Sequence, residues 1–127
     1  MKKNGFTLIE LLAVIVILAV IALITVPAVM NVVADAKVSA AKDAAYGYIK
    51  AVELDMAVKV GKGETVTLST TLTTVTVDVK GTTPLDVNLV VTNGEVVSGS
   101  VLTSGYLVTV VAGEVTTAVA SALTVLP

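Results

Sequence analysis

The chain has 127 residues, is 55% hydrophobic and has a mean hydropathy of +0.96, so it can hold one modest domain beside a membrane segment and is too apolar to be disordered. It contains no Cys and no His, which excludes disulfides, Cys/His metal centres and catalytic triads with a histidine base. The formal net charge of −2 makes it a poor non-specific ligand for nucleic acid. We therefore expect no enzymatic activity, no cofactor, no metal and no specific nucleic-acid partner.

Residues 1–5 form a short basic leader. Lys2 and Lys3 precede a long apolar run, and positive charge in front of a membrane span holds that end of the chain on the cytoplasmic side. The remainder is then expected to face outward. Loss of the leader would remove both lysines and leave the mature chain two charges more acidic.

The apolar run covers residues 6–30 and is interrupted only by Thr7, Glu10, Thr25 and Pro27. It is longer than the ~20 apolar residues that a helix needs to cross the hydrocarbon core of a bilayer. A helix that is apolar on every side belongs in lipid or in a protein core. The run therefore predicts the membrane-spanning half of a long N-terminal helix that begins at Phe6.

Glu10 is unusual in this run, because a carboxylate in hydrocarbon is costly. One interpretation places it at the level of the lipid headgroups. In another, the chain is cut after Gly5, so that Phe6 carries a new α-amine one helical turn from Glu10. At ~4 Å and an effective dielectric constant of ~20 the two charges would attract by roughly 4 kcal/mol, although desolvation would consume most of that. Such a pair would fix the register between helices more than it would add stability.

The stretch Lys2-Lys3-Asn4-Gly5-Phe6-Thr7-Leu8-Ile9-Glu10 resembles the leader and cleavage site of type IV prepilins, the class III signal peptide that pseudopilins share. The resemblance covers about the first quarter of the chain. It implies that a membrane-embedded prepilin peptidase cleaves after Gly5 and methylates the amine of Phe6. It also implies that Glu10 then neutralises the Phe6 amine of a neighbouring subunit during filament assembly.

The same resemblance implies the partners and the location of the chain. Before assembly the subunit would lie in the lipid of the cytoplasmic or inner membrane and meet an assembly platform there. After assembly it would be part of a homo-oligomeric helical filament, or fimbrium, on the cell surface, where pili of this class serve adhesion and motility.

A conventional secretory signal peptide is the main rival interpretation, because it also begins with positive charge followed by apolar residues. Val26-Pro27-Ala28 is a candidate cleavage site for it, which would leave a secreted form that starts near Val29. Glu10 within the core and the length of the apolar run count against this reading.

Pro27 removes a backbone donor and clashes with the preceding turn, so we expect a helix kink near residues 23–26. The position is also where pilins usually carry a helix-bending proline. A bend that helps the helix to fit a filament and a static kink of the kind common in membrane helices remain alternatives.

Residues 31–61 predict the amphipathic half of the helix. Apolar residues recur there at spacings of three and four and form one stripe: Val38, Ala41, Ala45, Tyr48, Ile49, Val52, Met56 and Val60. Asp55 can support Lys59 at i,i+4. Glu53 and Asp55 point apart on a helix, which favours a solvated face over an acid–base pair. Gly61 and Gly63 supply a stop signal.

Residues 62–127 predict a small antiparallel β-sheet head, with a Val/Leu face on the helical stripe and a wet Thr face. Apolar and polar residues alternate over 74–79 and 85–91, and further strands are predicted at 95–102, 106–111 and 114–119, with turns at Asn93-Gly94, Ser104-Gly105 and Ala112-Gly113. Residues 65–72 are either a short strand or a loop, and 118–126 are ambiguous between helix and strand. The fold class is therefore α+β, a long helix packed on a small sheet.

Three functions fit this sequence. A structural subunit of a type IV pilus, in particular the major pilin, accounts for the Gly5, Phe6 and Glu10 constellation ahead of a long span. A pseudopilin of a type II secretion or DNA-uptake system shares that N-terminus. A single-pass adhesin that displays its head is a third reading, but three Tyr, one Phe and no Trp offer few aromatic anchors for binding.

Overall fold

The computed structural model describes residues 4–67, 69–73, 77 and 79–120. Within them one helix precedes five strands: α1 Leu8–Gly61, β1 Thr70–Leu72, β2 Asp86–Thr92, β3 Glu95–Thr103, β4 Tyr106–Val111 and β5 Glu114–Ala120. The predicted α+β class, a long N-terminal helix with an antiparallel sheet, is confirmed. Two compact units make up the chain, Met1–Ala36 and Lys37–Pro127, and α1 passes through both.

In the first unit, the helix is apolar and uncovered. The most apolar window of α1 is long and apolar enough to cross a membrane, and none of it is buried. The exposed large side chains include Leu11, Ile17 and Ile24. A soluble core helix would bury these residues, so the exposure matches a segment that is covered by lipid or by other chains.

Helix α1 begins at Leu8, and the prediction that it begins at Phe6 was wrong. Phe6 and Thr7 precede the helix because Thr7 occupies the N-cap position, where the backbone is not yet helical. At the other end α1 stops at Gly61 as the glycine signal indicated, and Gly63 adopts a left-handed φ of 78° just beyond.

Pro27 lies inside α1, which continues on both sides of it. Thr25 lies just before the proline, and its Oγ1 donates a hydrogen bond to the carbonyl of Ile21 at 2.8 Å. Ser and Thr hydroxyls that bond back in this way often accompany a bent helix. The kink near residues 23–26 stays a prediction.

In the second unit, the predicted helical stripe forms one side of the core. Six of its eight residues are buried, namely Ala41, Ala45, Tyr48, Ile49, Val52 and Met56. Val38 is half-buried, whereas Val60 is 48% exposed. Val60 was wrongly included, because it lies one turn beyond Met56, where the core cluster ends.

The sheet supplies the other side of that core. Its strands are antiparallel and follow the chain in the order β1-β2-β3-β4-β5, so each hairpin joins neighbours. The inward residues of β2 to β4 that belong to the core are Val87, Leu89, Val91, Val96, Val101, Val108 and Val110. The opposite face was predicted to be a wet Thr face, but it also exposes Val90, Leu107 and Val111.

The strands predicted at 85–91, 95–102, 106–111 and 114–119 are confirmed to within about two residues. The strand predicted over 74–79 is wrong where it can be judged, since Val77 and Val79 lie outside strands and instead pack against the core as partly buried side chains. Residues 74–76 and 78 lie outside the described residues. Of the two open segments, 65–72 contains the short strand β1. Strand β5 continues to Ala120, and residues 121–127 lie outside the described part.

Three two-residue turns join the last four strands, as predicted. Their first residues, Asn93, Ser104 and Ala112, have φ values of 55°, 52° and 54°, and a glycine with φ near 80° follows each of them. Positive φ at both central residues is the signature of the type I′ turn, whose twist matches that of the flanking strands.

Glu53 has a structural role that its sequence position did not reveal. Its Oε1 accepts a hydrogen bond from the backbone N–H of Val96 at 3.1 Å, and its Oε2 pairs with Lys50 Nζ at 2.9 Å. The bonded Val96 lies beside a β-bulge, where the register of β2 and β3 shifts after Val90. The predicted solvated face therefore does not describe Glu53, whose side chain is only 19% exposed.

Candidate functional site

The candidate site is the segment at the start of α1, residues 4–10. Asn4 to Thr7 are exposed and not helical, and Phe6 is 88% exposed. A Cβ placed on Gly5 would meet no heavy atom within 4 Å. The backbone on both sides of the Gly5–Phe6 bond is therefore open to another molecule.

Thr7 and Glu10 form a reciprocal N-terminal cap on the helix. The backbone N–H of Thr7 donates to Glu10 Oε2 at 2.9 Å, and the backbone N–H of Glu10 donates to Thr7 Oγ1 at 3.4 Å. The Thr7 hydroxyl also donates to Glu10 Oε2 at 2.9 Å. This is a capping box, with Thr7 at the N-cap and Glu10 at the third helical position.

The cap has consequences for the charge on Glu10. Two hydrogen bonds from Thr7 converge on Oε2, and the positive end of the helix dipole lies beside it. Both favour the ionised carboxylate at the edge of an apolar helix. No hydrogen bond reaches Oε1 from the described residues, so that oxygen has room for a further donor.

The predicted site residues do not all lie together. Gly5, Phe6 and Glu10 fall within the one short segment, whereas Pro27 lies farther along α1. Because the leader is still attached, the nitrogen of Phe6 belongs to a peptide bond and carries no charge. Cleavage after Gly5, methylation of Phe6 and the pairing of Glu10 with a freed amine stay predictions.

Sequence reasoning missed Thr7. The signal was present, because Thr7-Leu8-Ile9-Glu10 has the Thr-x-x-Glu spacing of a capping box directly ahead of an apolar run. The sequence prediction gave the Glu10 carboxylate one role, as the partner of the Phe6 amine. Its second role, as the acceptor in the N-terminal cap of α1, was not predicted.

The other charged groups that form pairs do so to support the helix. Lys59 Nζ lies 2.7 Å from Asp55 Oδ2, as the i,i+4 spacing predicted. Hydrogen bonding and attraction from Glu53 raise the pKa of Lys50 above its ordinary value, and Asp55 does the same for the pKa of Lys59. Among the described residues no group of three or more His, Cys, Asp or Glu is placed to hold a metal ion.

Comparison with known families identifies the candidate segment. Residues 1–26 match the family model described as the prokaryotic N-terminal methylation motif, a range that includes Gly5, Phe6, Thr7 and Glu10. The N-terminus therefore carries a class III signal peptide of the type IV pilin and pseudopilin type. That motif implies processing by prepilin peptidase and assembly into a multi-subunit filament. Comparisons with curated proteins and with solved structures gave no match.

Proposed function

We propose that this chain is a structural subunit of a type IV pilus, and specifically its major pilin. The observation that carries the proposal is the methylation motif at residues 1–26, which continues into an apolar helix whose most apolar window is not buried. The plain, small sheet unit supports a role in building the filament. The proposed function needs no cofactor and no catalytic group in this chain.

The first proposed step is hydrolysis of the Gly5–Phe6 peptide bond. One water is consumed, Gly5 leaves with a carboxylate, and Phe6 gains a protonated α-amine. The Phe6 amine then loses a proton to water, and its lone pair attacks the methyl carbon of a sulfonium donor. The N–C bond forms as the methyl C–S bond breaks, and the donor leaves as a neutral thioether. The open backbone of residues 4–7 supports access by the peptidase.

The second proposed step is assembly. The apolar part of α1 is covered by lipid while the subunit waits in the cytoplasmic or inner membrane, and by sister subunits once an assembly platform adds it to the filament. Glu10 neutralises the Phe6 amine of a neighbouring subunit. The free Oε1 supports this role, because a carboxylate can accept a charge-assisted hydrogen bond there while Oε2 stays bonded to Thr7.

Substitution of Glu10 by Ala tests the proposal. We expect the Glu10→Ala chain to be cleaved after Gly5 and methylated, yet to be absent from filaments, because the neighbour's amine is left uncompensated in an apolar setting. Electron microscopy and immunoblotting of sheared filaments measure assembly. Glu114→Ala is the matched control, since Glu114 is exposed at the start of β5, far along the chain from the motif. Normal piliation by Glu10→Ala would contradict the proposal.

Mass spectrometry of the chain extracted from cells separates the rival functions. A methylated Phe6 at the N-terminus is expected for a pilin or pseudopilin. An intact Met1 would indicate a membrane-anchored adhesin, and a start near Val29 would indicate a secreted protein.

The composition of surface filaments separates a major pilin from a pseudopilin, which shares the same N-terminus. We expect long filaments in which this chain is the main component. Filaments that contain it only in traces, or a chain confined to the cell envelope, would favour the pseudopilin.

A further inference from the structure

We infer that the Thr7–Glu10 capping box presents the bond to be hydrolysed, by starting α1 at Leu8 and so holding the Gly5–Phe6 bond outside the helix. The inference rests on the proposed function and concerns the precursor, before the leader is removed. It assigns Thr7 as a positioning residue for cleavage.

The first step of the argument is where the bond lies. It precedes the first helical residue, Leu8, by two residues, in backbone that is exposed and not helical. Proteolysis concentrates at exposed segments whose backbone is not tied into hydrogen bonds. Had α1 begun at or before Gly5, the carbonyl of Gly5 would accept a helical hydrogen bond from Ile9, and hydrolysis would first have to unwind that turn.

The second step is what stops the helix. Phe6 and Thr7 are both compatible with a helix, so composition alone does not place its start at Leu8. The N–H of Thr7 is bonded to Glu10 Oε2 at 2.9 Å, and it is therefore not available for a helical bond to the preceding turn. The first helical hydrogen bond runs from the N–H of Leu11 to the carbonyl of Thr7, at 3.2 Å. The Thr7 hydroxyl donates to the same Oε2 at 2.9 Å and so holds the carboxylate against the Thr7 N–H, which is why loss of the hydroxyl should release that N–H. The cap thus takes the donor through which the helix would extend toward the leader.

The third step separates two roles of Glu10. As a cap acceptor it needs only an oxygen in the right place, which a Gln amide also offers, since Gln occurs at this position of capping boxes. As the partner of an amine it needs its negative charge. Glu10→Gln and Glu10→Ala should therefore both fail in assembly, but the Gln variant should be cleaved faster than the Ala variant.

The test is the initial rate of leader removal from the full-length precursor in detergent micelles by a purified prepilin peptidase. We expect Thr7→Ala to lower this rate about fivefold, the population change that loss of a typical N-cap produces. Thr7→Ser keeps a hydroxyl and should restore the rate to within about twofold of wild type. Thr25→Ala is the matched control, because the Thr25 hydroxyl also bonds to a backbone group of α1, the carbonyl of Ile21, but far from the cleaved bond.

A second measurement guards against an indirect effect. Backbone carbon chemical shifts in the same micelles should place the first helical residue at Leu8 in wild type and Thr7→Ser, and at Phe6 or earlier in Thr7→Ala. Cleavage of Thr7→Ala at the wild-type rate, or an unchanged helix start, would overturn the inference. Equal rates for Glu10→Gln and Glu10→Ala would overturn the part assigned to Glu10. A wild-type chain that is not cut after Gly5 would overturn the proposed function itself, and the inference with it.

Discussion

At the scale of single residues, Glu10 and Glu53 are carboxylates whose roles depend on backbone N–H groups. Glu10 caps the N-terminus of its own helix from three residues away, whereas Glu53 reaches a strand 43 residues along the chain. The first contact is local, and the Thr-x-x-Glu spacing is its sequence signal, although that spacing alone does not decide whether the helix starts there. The second requires the β-bulge beside Val96, which no local pattern locates.

Gly99 and Gly47 should respond in opposite ways to the same substitution. A Cβ on Gly99 would clash with the carbonyl oxygen of Asn88 and lie 2.8 Å from the Cα of Leu89, and Gly99 has a φ of 140°. We expect Gly99→Ala to destabilise the sheet unit by ~3 kcal/mol or more, because the neighbouring strand backbone must move. Gly47 lies in α1, and a Cβ there would meet no heavy atom within 4 Å, so Gly47→Ala should stabilise by ~0.5–1 kcal/mol.

Thermal and urea unfolding of the full chain in detergent, followed by circular dichroism, measures both changes. A Gly99→Ala variant as stable as wild type would show that β2 and β3 do not approach each other so closely. A loss of stability in Gly47→Ala would show that this part of α1 is not open.

At the scale of elements, the four strands β2 to β5 were predictable because their signals are local. Alternating apolar residues set the inward face, and three two-residue turns set the register between neighbours. The segment around Val77 and Val79 alternates in the same way, yet neither residue is in a strand. Alternation of apolar and polar residues specifies which side chains of a segment face the core, but it does not specify a neighbouring strand. A segment at the edge of a sheet needs that neighbouring strand as well.

Substitution of the first central residue in two of the turns tests how much the turn conformation contributes to the free energy of unfolding. Ala112 has a φ of 54°, which an alanine adopts only at a cost, while Asn93 tolerates the same conformation in the first turn. We expect Ala112→Asn to raise the free energy of unfolding by up to ~1 kcal/mol, and Asn93→Ala to lower it by a similar amount. Urea unfolding midpoints provide the measurement. Changes of the same sign in both variants would show that turn conformation does not govern them.

At the scale of the whole molecule, the two units differ in what covers their apolar residues. Every residue of the core cluster, from Ala41 to Val110, belongs to the second unit. The described apolar residues of the first unit are exposed, and the sequence predicted that property from a long apolar run with few polar interruptions. It could not predict the exact helix start, because capping and continuation of the helix compete over the same few residues.

A fragment of residues 37–127 should therefore fold without detergent, because it keeps both sides of the core, the helical stripe and the sheet. We expect a soluble monomer with the circular dichroism of a mixed helix and sheet and a cooperative unfolding transition. Size-exclusion chromatography and circular dichroism check this expectation. The full chain is the control and should require detergent. An aggregated or unfolded fragment would show that the first 36 residues contribute to the fold of the second unit.

The hydrogen bond from Val96 to Glu53 bears on how a filament of such subunits would withstand pulling. In the proposed filament, mechanical load carried by the α1 helices would enter each sheet through its attachment to α1. Apolar packing resists separation but lets surfaces slide, whereas a directed bond from a carboxylate to a strand N–H resists sliding as well. Glu53 would then keep β3 from sliding along α1 when the filament is under tension.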